Sequence, residues 1–447
     1  MICGNMPRFA AVRRLALTAL SVTTRKSRIS MMLAALWLCA SGSLPAQTFT
    51  TLYKFGGGGN PDAGLVQGTD GNLYGTTHGY SGKENGRIFK ITTSGTLTTL
   101  NVGGEFAAAL IQGTDGNFYG TNLAGGTLGY GTVFKITPSG TLTTLHNFGP
   151  LPSGTYPRAA LVQASDGNFY GTTSEGGTNS CLYGGTNFGC GTLFKITPSG
   201  TLTRLYNFCS QSGCADGEAP GGALVQGTDG NLYGTTRSAG NMGGGCSAIG
   251  GCGTVFKITT TGTLTTLHSF DLTDGANPDA GLIQATDGNF YGTTYSGGAN
   301  NNCTYGTCGT VFKITLAGTL TRLHSFDNTD GANPIAGLIQ ATDGNFYGTT
   351  GGGGNGPCGA GCGTVFKITT TGTLTTLHIF DNTDGSLPTA LVQDTNGTLY
   401  GTTYLGGTNG YHYCGGTCGT IFSLSVGLGP FVETEPASGN VGRPSTF

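Results

Sequence analysis

From residue 48 to residue 427, apolar residues occur only in short runs bounded by Gly, Asn, Asp, Ser or Thr. The stretch from Gly281 to Phe326 shows the pattern. Gly281-Leu282-Ile283-Gln284 is followed by Asp287-Gly288-Asn289 and then by Phe290-Tyr291-Gly292-Thr293-Thr294. After a loop rich in Gly, Asn and Cys come Gly309-Thr310-Val311-Phe312-Lys313-Ile314-Thr315, an Ala317-Gly318 turn, and Thr319-Leu320-Thr321-Arg322-Leu323-His324-Ser325-Phe326. Runs this short, rich in β-branched and aromatic residues, predict four β-strands. The Asp-Gly pair predicts a hairpin between the first two, because glycine accepts the left-handed backbone that such a turn needs.

The unit recurs seven times, marked by Tyr-Gly-Thr-Thr (once Tyr-Gly-Thr-Asn) at Tyr74, Tyr119, Tyr170, Tyr233, Tyr291, Tyr347 and Tyr400. Four antiparallel strands repeated seven times predict an all-β fold, a seven-bladed β-propeller of four-stranded antiparallel blades. The two ends fit a closed ring. Thr48 to Phe55 reads as a fourth strand with no other three before it, and the seventh unit stops after its third strand, Gly419 to Ser425. The N-terminal strand is therefore expected to complete blade 7, which removes two exposed sheet edges. A parallel β-helix is the competing architecture, but repeats spaced 45 to 63 residues apart suit blades with elastic loops better.

Composition narrows this further. Glycine fills 85 of 447 positions, which disfavours helices, and charged residues make up only 9%. Six of the twenty basic residues (Arg8, Arg13, Arg14, Arg25, Lys26, Arg28) precede residue 48, where no acid occurs. The remaining 14 face 22 acids, so no nucleic-acid surface is expected. The charged stretch Arg25-Lys26-Ser27-Arg28 followed by apolar Ile29 to Cys39 predicts an export signal, with cleavage near Ala46. The expected organisation is a leader over 1–47, the propeller over 48–427 and a short tail over 428–447. The mature chain is expected outside the cytoplasm, in the periplasm or at the cell surface, as a monomer with no membrane span.

Three sets of residues carry candidate chemistry. The first is structural. Units one to six have Asp in the first turn and Lys in the third strand: Asp70/Lys90, Asp115/Lys135, Asp166/Lys195, Asp229/Lys257, Asp287/Lys313 and Asp343/Lys367. Unit seven has Asn396 and Ser423, so both are lost together, and a partly buried ion pair is expected in each of the other blades. The second is the cysteines, which fall into close pairs: Cys181/Cys190, Cys209/Cys214, Cys246/Cys252, Cys303/Cys308, Cys358/Cys362 and Cys414/Cys418. In an exported chain these predict disulfides that staple loops, with zinc as the alternative. The third is Asp-x-x-Asp-Gly at Asp271/Asp274, Asp327/Asp330 and Asp381/Asp384, read as turn-forming, with calcium as the alternative; no other cofactor is expected.

No nucleophile, zinc-hydrolase or phosphate-loop motif is present. His146, His268, His324 and His378 share one strand-four position, which marks them as structural. Arg158 and Arg237 stand at non-repeating places and are the residues from which a central-channel site would be built.

The recurring string of Leu-Ile-Gln-x-Thr-Asp-Gly-Asn-Phe-Tyr-Gly-Thr-Thr and Gly-Thr-Val-Phe-Lys-Ile-Thr resembles the GloVer tandem repeat of exported bacterial proteins. The resemblance covers residues 49 to about 426. It implies a choice-of-anchor protein, one whose relatives end in varied surface-sorting tails, and it carries over no catalytic residue. The tail from Gly429 is similar to the start of an immunoglobulin-like domain. The expected function is a non-catalytic binding or interaction module. It would recognise glycans or other cell-surface ligands through rim loops bearing Asn300, Asn301, Asn302, Tyr305, Tyr411, His412 and Tyr413. A lyase- or hydrolase-like propeller enzyme and a structural surface component are the alternatives.

Overall fold

The computed structural model describes residues 47–56, 59–79, 86–303, 307–407 and 418–430. They form seven four-stranded antiparallel sheets, the blades of a β-propeller. Blade 5 is typical. Its strands, from the axis outward, are Ile283–Gln284, Phe290–Thr294, Thr310–Ile314 and Leu320–Ser325. Strands two and three pair in continuous register, with Tyr291 opposite Lys313 and Gly292 opposite Phe312. Glycine is required at position 292, because an added Cβ would lie 2.7 Å from both Leu282 Cδ2 and Phe312 Cζ. Short 3-10 turns at Ser212–Cys214 and Gly244–Ile249 are the only helix among the described residues. None is long and apolar enough to cross a membrane.

The ring closes as the sequence predicts. Thr48–Lys54 pairs antiparallel with Thr420–Ser425 and is the outer strand of blade 7, whose other strands are Ser386–Gln393 and Leu399–Leu405. Phe49 anchors it, stacked on His378 with ring centroids 3.8 Å apart. The core lies between the blades. Phe290, Tyr291, Val311, Phe312 and Ile314 are all fully buried. Each such side chain contributes about 1.5–3 kcal/mol by leaving water. Tyr291 stacks on Phe346 of blade 6 at 4.0 Å, as Tyr74 does on Phe118 and Tyr119 on Phe169.

A second tie runs around the axis. The glutamine ending each first strand accepts the backbone N–H of a turn residue one blade back. Gln112 takes Thr69, Gln163 takes Thr114, Gln226 takes Ser165, Gln284 takes Thr228, Gln340 takes Thr286 and Gln393 takes Thr342. Gln67 takes Thr395 and completes the circle between blades 1 and 7.

Candidate functional site

First strands run away from one face of the ring, here called the mouth face. The loops between strands two and three and the connections between blades lie on it. The hairpin turns occupy the opposite, turn face.

On the turn face, the repeated aspartate has more partners than the sequence suggested. Asp287 Oδ2 accepts from the Tyr291 hydroxyl at 2.9 Å and from Lys313 Nζ at 2.8 Å, while Oδ1 accepts the Asn289 N–H. Lys367 reaches Asp343 at 2.8 Å and Lys90 reaches Asp70 at 3.8 Å. In blades 2, 3 and 4, Lys135, Lys195 and Lys257 make no ion pair within 4 Å with Asp115, Asp166 and Asp229. There the tyrosine and asparagine are the contacting partners, and the lysine acts at longer range. Burial works to raise the Asp287 carboxyl, but Lys313, Asn289 and Tyr291 outweigh it and hold it down at about 2. In blade 7, Asn396 donates to the Tyr400 hydroxyl at 3.4 Å instead.

The candidate loop residues make hydrogen bonds within their own blades. Asp271 Oδ1 accepts from the Thr273 hydroxyl at 2.6 Å and from the Thr273 and Asp274 N–H groups. Asp274 Oδ2 lies 2.7 Å from His268 Nε2, and Asp330 and Asp384 pair with His324 and His378 at the same distance. The carboxylates that the sequence offered to calcium are thus engaged in their own turns and with the strand-four histidines. Asn300 donates to the carbonyls of Ser325 and Phe326, and Asn302 to that of Asp327, so both are spent on their own blade. Tyr305, Tyr411, His412 and Tyr413 lie outside the described residues.

The cysteines form disulfides 181–190, 209–214, 246–252, 303–308 and 358–362. Cys414 lies outside the described residues, and Cys418 is disulfide-bonded. Four of the pairs fix a buried cysteine just before strand three, and its carbonyl reaches the next blade. Cys308 O accepts the Asn333 N–H at 2.8 Å, Cys252 O that of Asn277, and Cys362 O that of Leu387. Asn277, Asn333 and Leu387 hold left-handed φ near 53°, immediately before the proline that opens a first strand. The disulfides therefore stand behind the residues that shape the channel mouth.

At this mouth the repeat stops repeating. The residue after the entry proline is Asp62, Arg158, Gly221, Asp279, Ile335 or Thr389, and blade 2 has Ala107 in its place. The residue after Tyr-Gly-Thr-Thr varies as widely, and includes His78 and Arg237. Asn60, Asn277 and Asn333 each donate to the carbonyl at the end of the preceding blade's second strand, which sets the two positions side by side.

The charges at these positions interact across the ring. Arg237 Nε lies 3.5 Å from Asp279 Oδ1. Burial raises the Asp279 carboxyl, against the pull of Arg237 and Arg158. Burial pushes Asp62 up to about 6, again against Arg158, and no cation lies within 4 Å of it among the described residues. Glu175 is raised by burial with Arg158 opposing, and Glu218 by burial with Ser238 opposing. His78 is pushed down by burial, against Glu105 and together with Arg158. Arg158, exposed on blade 3 two residues before Ala160 of the cavity wall, opposes the effect of burial on groups of blades 1 and 5. The Asn60 Oδ1 and His78 Nε2 atoms are buried, without hydrogen-bond partners among the described residues.

Beneath lies an apolar cavity of about 200 Å³, lined by Gly64-Leu65-Val66 and the matching residues of all seven blades, through Ala390-Leu391. Sequence reasoning singled out Arg158 and Arg237 but missed Asp62 and Asp279. The signal was available: each follows a proline at a position that is uncharged in four other blades.

Three solved structures are similar to this chain over most of its length. A fungal alcohol oxidase in complex with copper superposes with a TM-score of 0.53 at 14% identity, over 87% of this chain and 79% of its own. A luciferin-regenerating enzyme gives 0.44 at 10% identity, over 87% and 98%. A gluconolactonase from Xanthomonas campestris gives 0.42 at 12%, over 87% and 92%. At these identities the likeness is one of fold. No curated protein matches the sequence. Residues 42–183 and 179–304 match the family model described as the Gloeobacter/Verrucomicrobia repeat. These segments span more than half of the chain, whose blades repeat the same unit throughout, and the protein belongs to that repeat family.

Proposed function

We propose that the protein is an extracytoplasmic binding module that seats a small ligand at the mouth of its central channel. The observation that carries this is the placement of charge. In a chain with 9% charged residues, Asp62, Arg158, Arg237 and Asp279 depart from the repeat around one opening. A repeated frame with a few convergent polar groups over an apolar pocket is the usual form of a small-molecule site. The disulfides fit an oxidising compartment. The mouth is preferred here to the rim loops, of whose residues Asn300 and Asn302 are engaged in holding their own loop. Calorimetry of the purified protein against neutral oligosaccharides and small polar metabolites tests the reading. Binding that is lost in both Asp62→Asn and Arg158→Ala supports it, and binding that survives both variants refutes the mouth as the site.

A second reading has one observation in its favour. A carboxyl near 6, such as Asp62, titrates where a general acid or base works best at neutral pH. Turnover of a lactone or glycoside panel that vanishes in Asp62→Asn would replace binding by catalysis.

A further inference from the structure

We infer that the mouth takes an organic cation: an ammonium or guanidinium group on a compact apolar body that enters the channel. This rests on the mouth being the ligand site, and it names the ligand's chemistry.

The apolar body follows from the cavity. Its walls are Gly, Ala, Leu, Val and Ile from all seven blades, with Gln163 and Gln226 as the polar side chains, and its volume is about 200 Å³. An aliphatic cavity of about 150 Å³ stays dry and accepts a benzene ring. The channel thus has room for a six-membered ring or a short branched chain, and its largely aliphatic wall has two glutamines, too few to satisfy the hydroxyls of a polyol.

The cation follows from the groups above the cavity. Asp62, Asp279, Glu105, Glu175 and Glu218 outnumber Arg158 and Arg237. Arg237 is committed to Asp279, and Arg158 is shared among several acids. Asp62 has no cation of its own within 4 Å among the described residues. Asp62 stands two residues before Gly64 and Asp279 two before Gly281, both in the cavity wall, so alternation along the strand brings these carboxyls to the channel side. An ammonium supplies both a positive charge and several donors. An anionic head would add to the repulsion, and a neutral hydroxyl would leave the buried carboxylates uncompensated.

Three probes that share one ring separate these cases: benzylammonium, benzyl alcohol and benzoate, titrated calorimetrically into the intact protein at pH 7.5 and low salt. Benzylammonium is expected to bind about tenfold more tightly than benzyl alcohol, the scale of one partly desolvated charge pair, with benzoate the weakest. Asp62→Asn should bring the cation down to the level of the alcohol. Ala160→Leu, which narrows the cavity, should weaken cation and alcohol together, while circular dichroism and Tm confirm that each variant folds. Equal binding of cation and alcohol, or preference for benzoate, overturns the inference. If only oligosaccharides bind, and do so through Asp62 and Arg158, the mouth remains the site and the cation falls. If no ligand of any class is lost on substituting the mouth, both readings fall.

Discussion

Aspartate meets two environments in this molecule, one on each face of the ring. On the turn face, Asp287 accepts from Tyr291, Asn289 and Lys313 and is held at about 2. At the mouth, Asp62 is pushed up to about 6, and Asp279 is raised although Arg237 stands beside it. Both faces desolvate their carboxyls, and the difference lies in what is supplied in return. The turn face provides donors from its own blade, in nearly identical form six times over. The mouth leaves the demand open. Repetition therefore marks the residues that hold the ring together, and departure from it marks those on which the proposed ligand site rests.

The largest test strikes the frame on which both faces depend. Gly292→Val should destabilise the protein by about 3 kcal/mol, since the new side chain collides with Leu282 and Phe312. Denaturant unfolding would read this, and an unchanged midpoint would remove the close-approach argument. Next, Asp287→Ala should cost about 1–2 kcal/mol by leaving the Tyr291 hydroxyl and Lys313 without their acceptor. Asp62→Asn should instead raise Tm at pH 7, and a loss of similar size at both sites would erase the contrast between the faces.

The pH dependence sharpens the contrast, because the two groups carry opposite signs. The Asp287 carboxyl lies below its usual value of 3.8, so its contribution is present above that pH and is lost as pH falls toward 2. The Asp62 carboxyl is raised, so its contribution is full below 3.8 and is lost as pH rises through about 6. Tm profiles should show Asp62→Asn merging with the parent below pH 4 and exceeding it above pH 6. A constant offset between the two profiles would count against the raised carboxyl. The smallest effect belongs to blade 7. Asn396→Asp alone should be mildly destabilising, and Asn396→Asp combined with Ser423→Lys should recover about 0.5 kcal/mol, as a double-mutant cycle would show.

Much of the architecture was legible because it is written seven times. Strand positions, the hairpin glycines, the closing strand and the cysteine pairs all follow from spacing. The partners of the turn aspartate were only half legible. Its link to lysine showed because both vanish in unit seven, whereas Tyr400 remains there and so gave no such signal. A partner that never varies leaves no trace within one sequence, and the glutamine circle was hidden in the same way. The strand-four histidines could have been matched to their acids, since His268, His324 and His378 each precede an aspartate by six residues. The mouth was least legible. Asp62 beside a proline reads as an ordinary turn until the ring brings it within reach of an arginine from blade 3.

The pairing of Thr48–Lys54 with Thr420–Ser425 also has a temporal consequence. The strand that leaves the ribosome ahead of every blade is needed only when the last of them has been made. Until then it is an unpaired segment of high β-propensity, the kind of edge that associates with other chains. The circle of glutamines must also wait for Gln67 to meet Thr395. The seam of the propeller can thus lock only after blade 7 has been made, so protection of this early strand bears directly on how much finished protein a cell obtains.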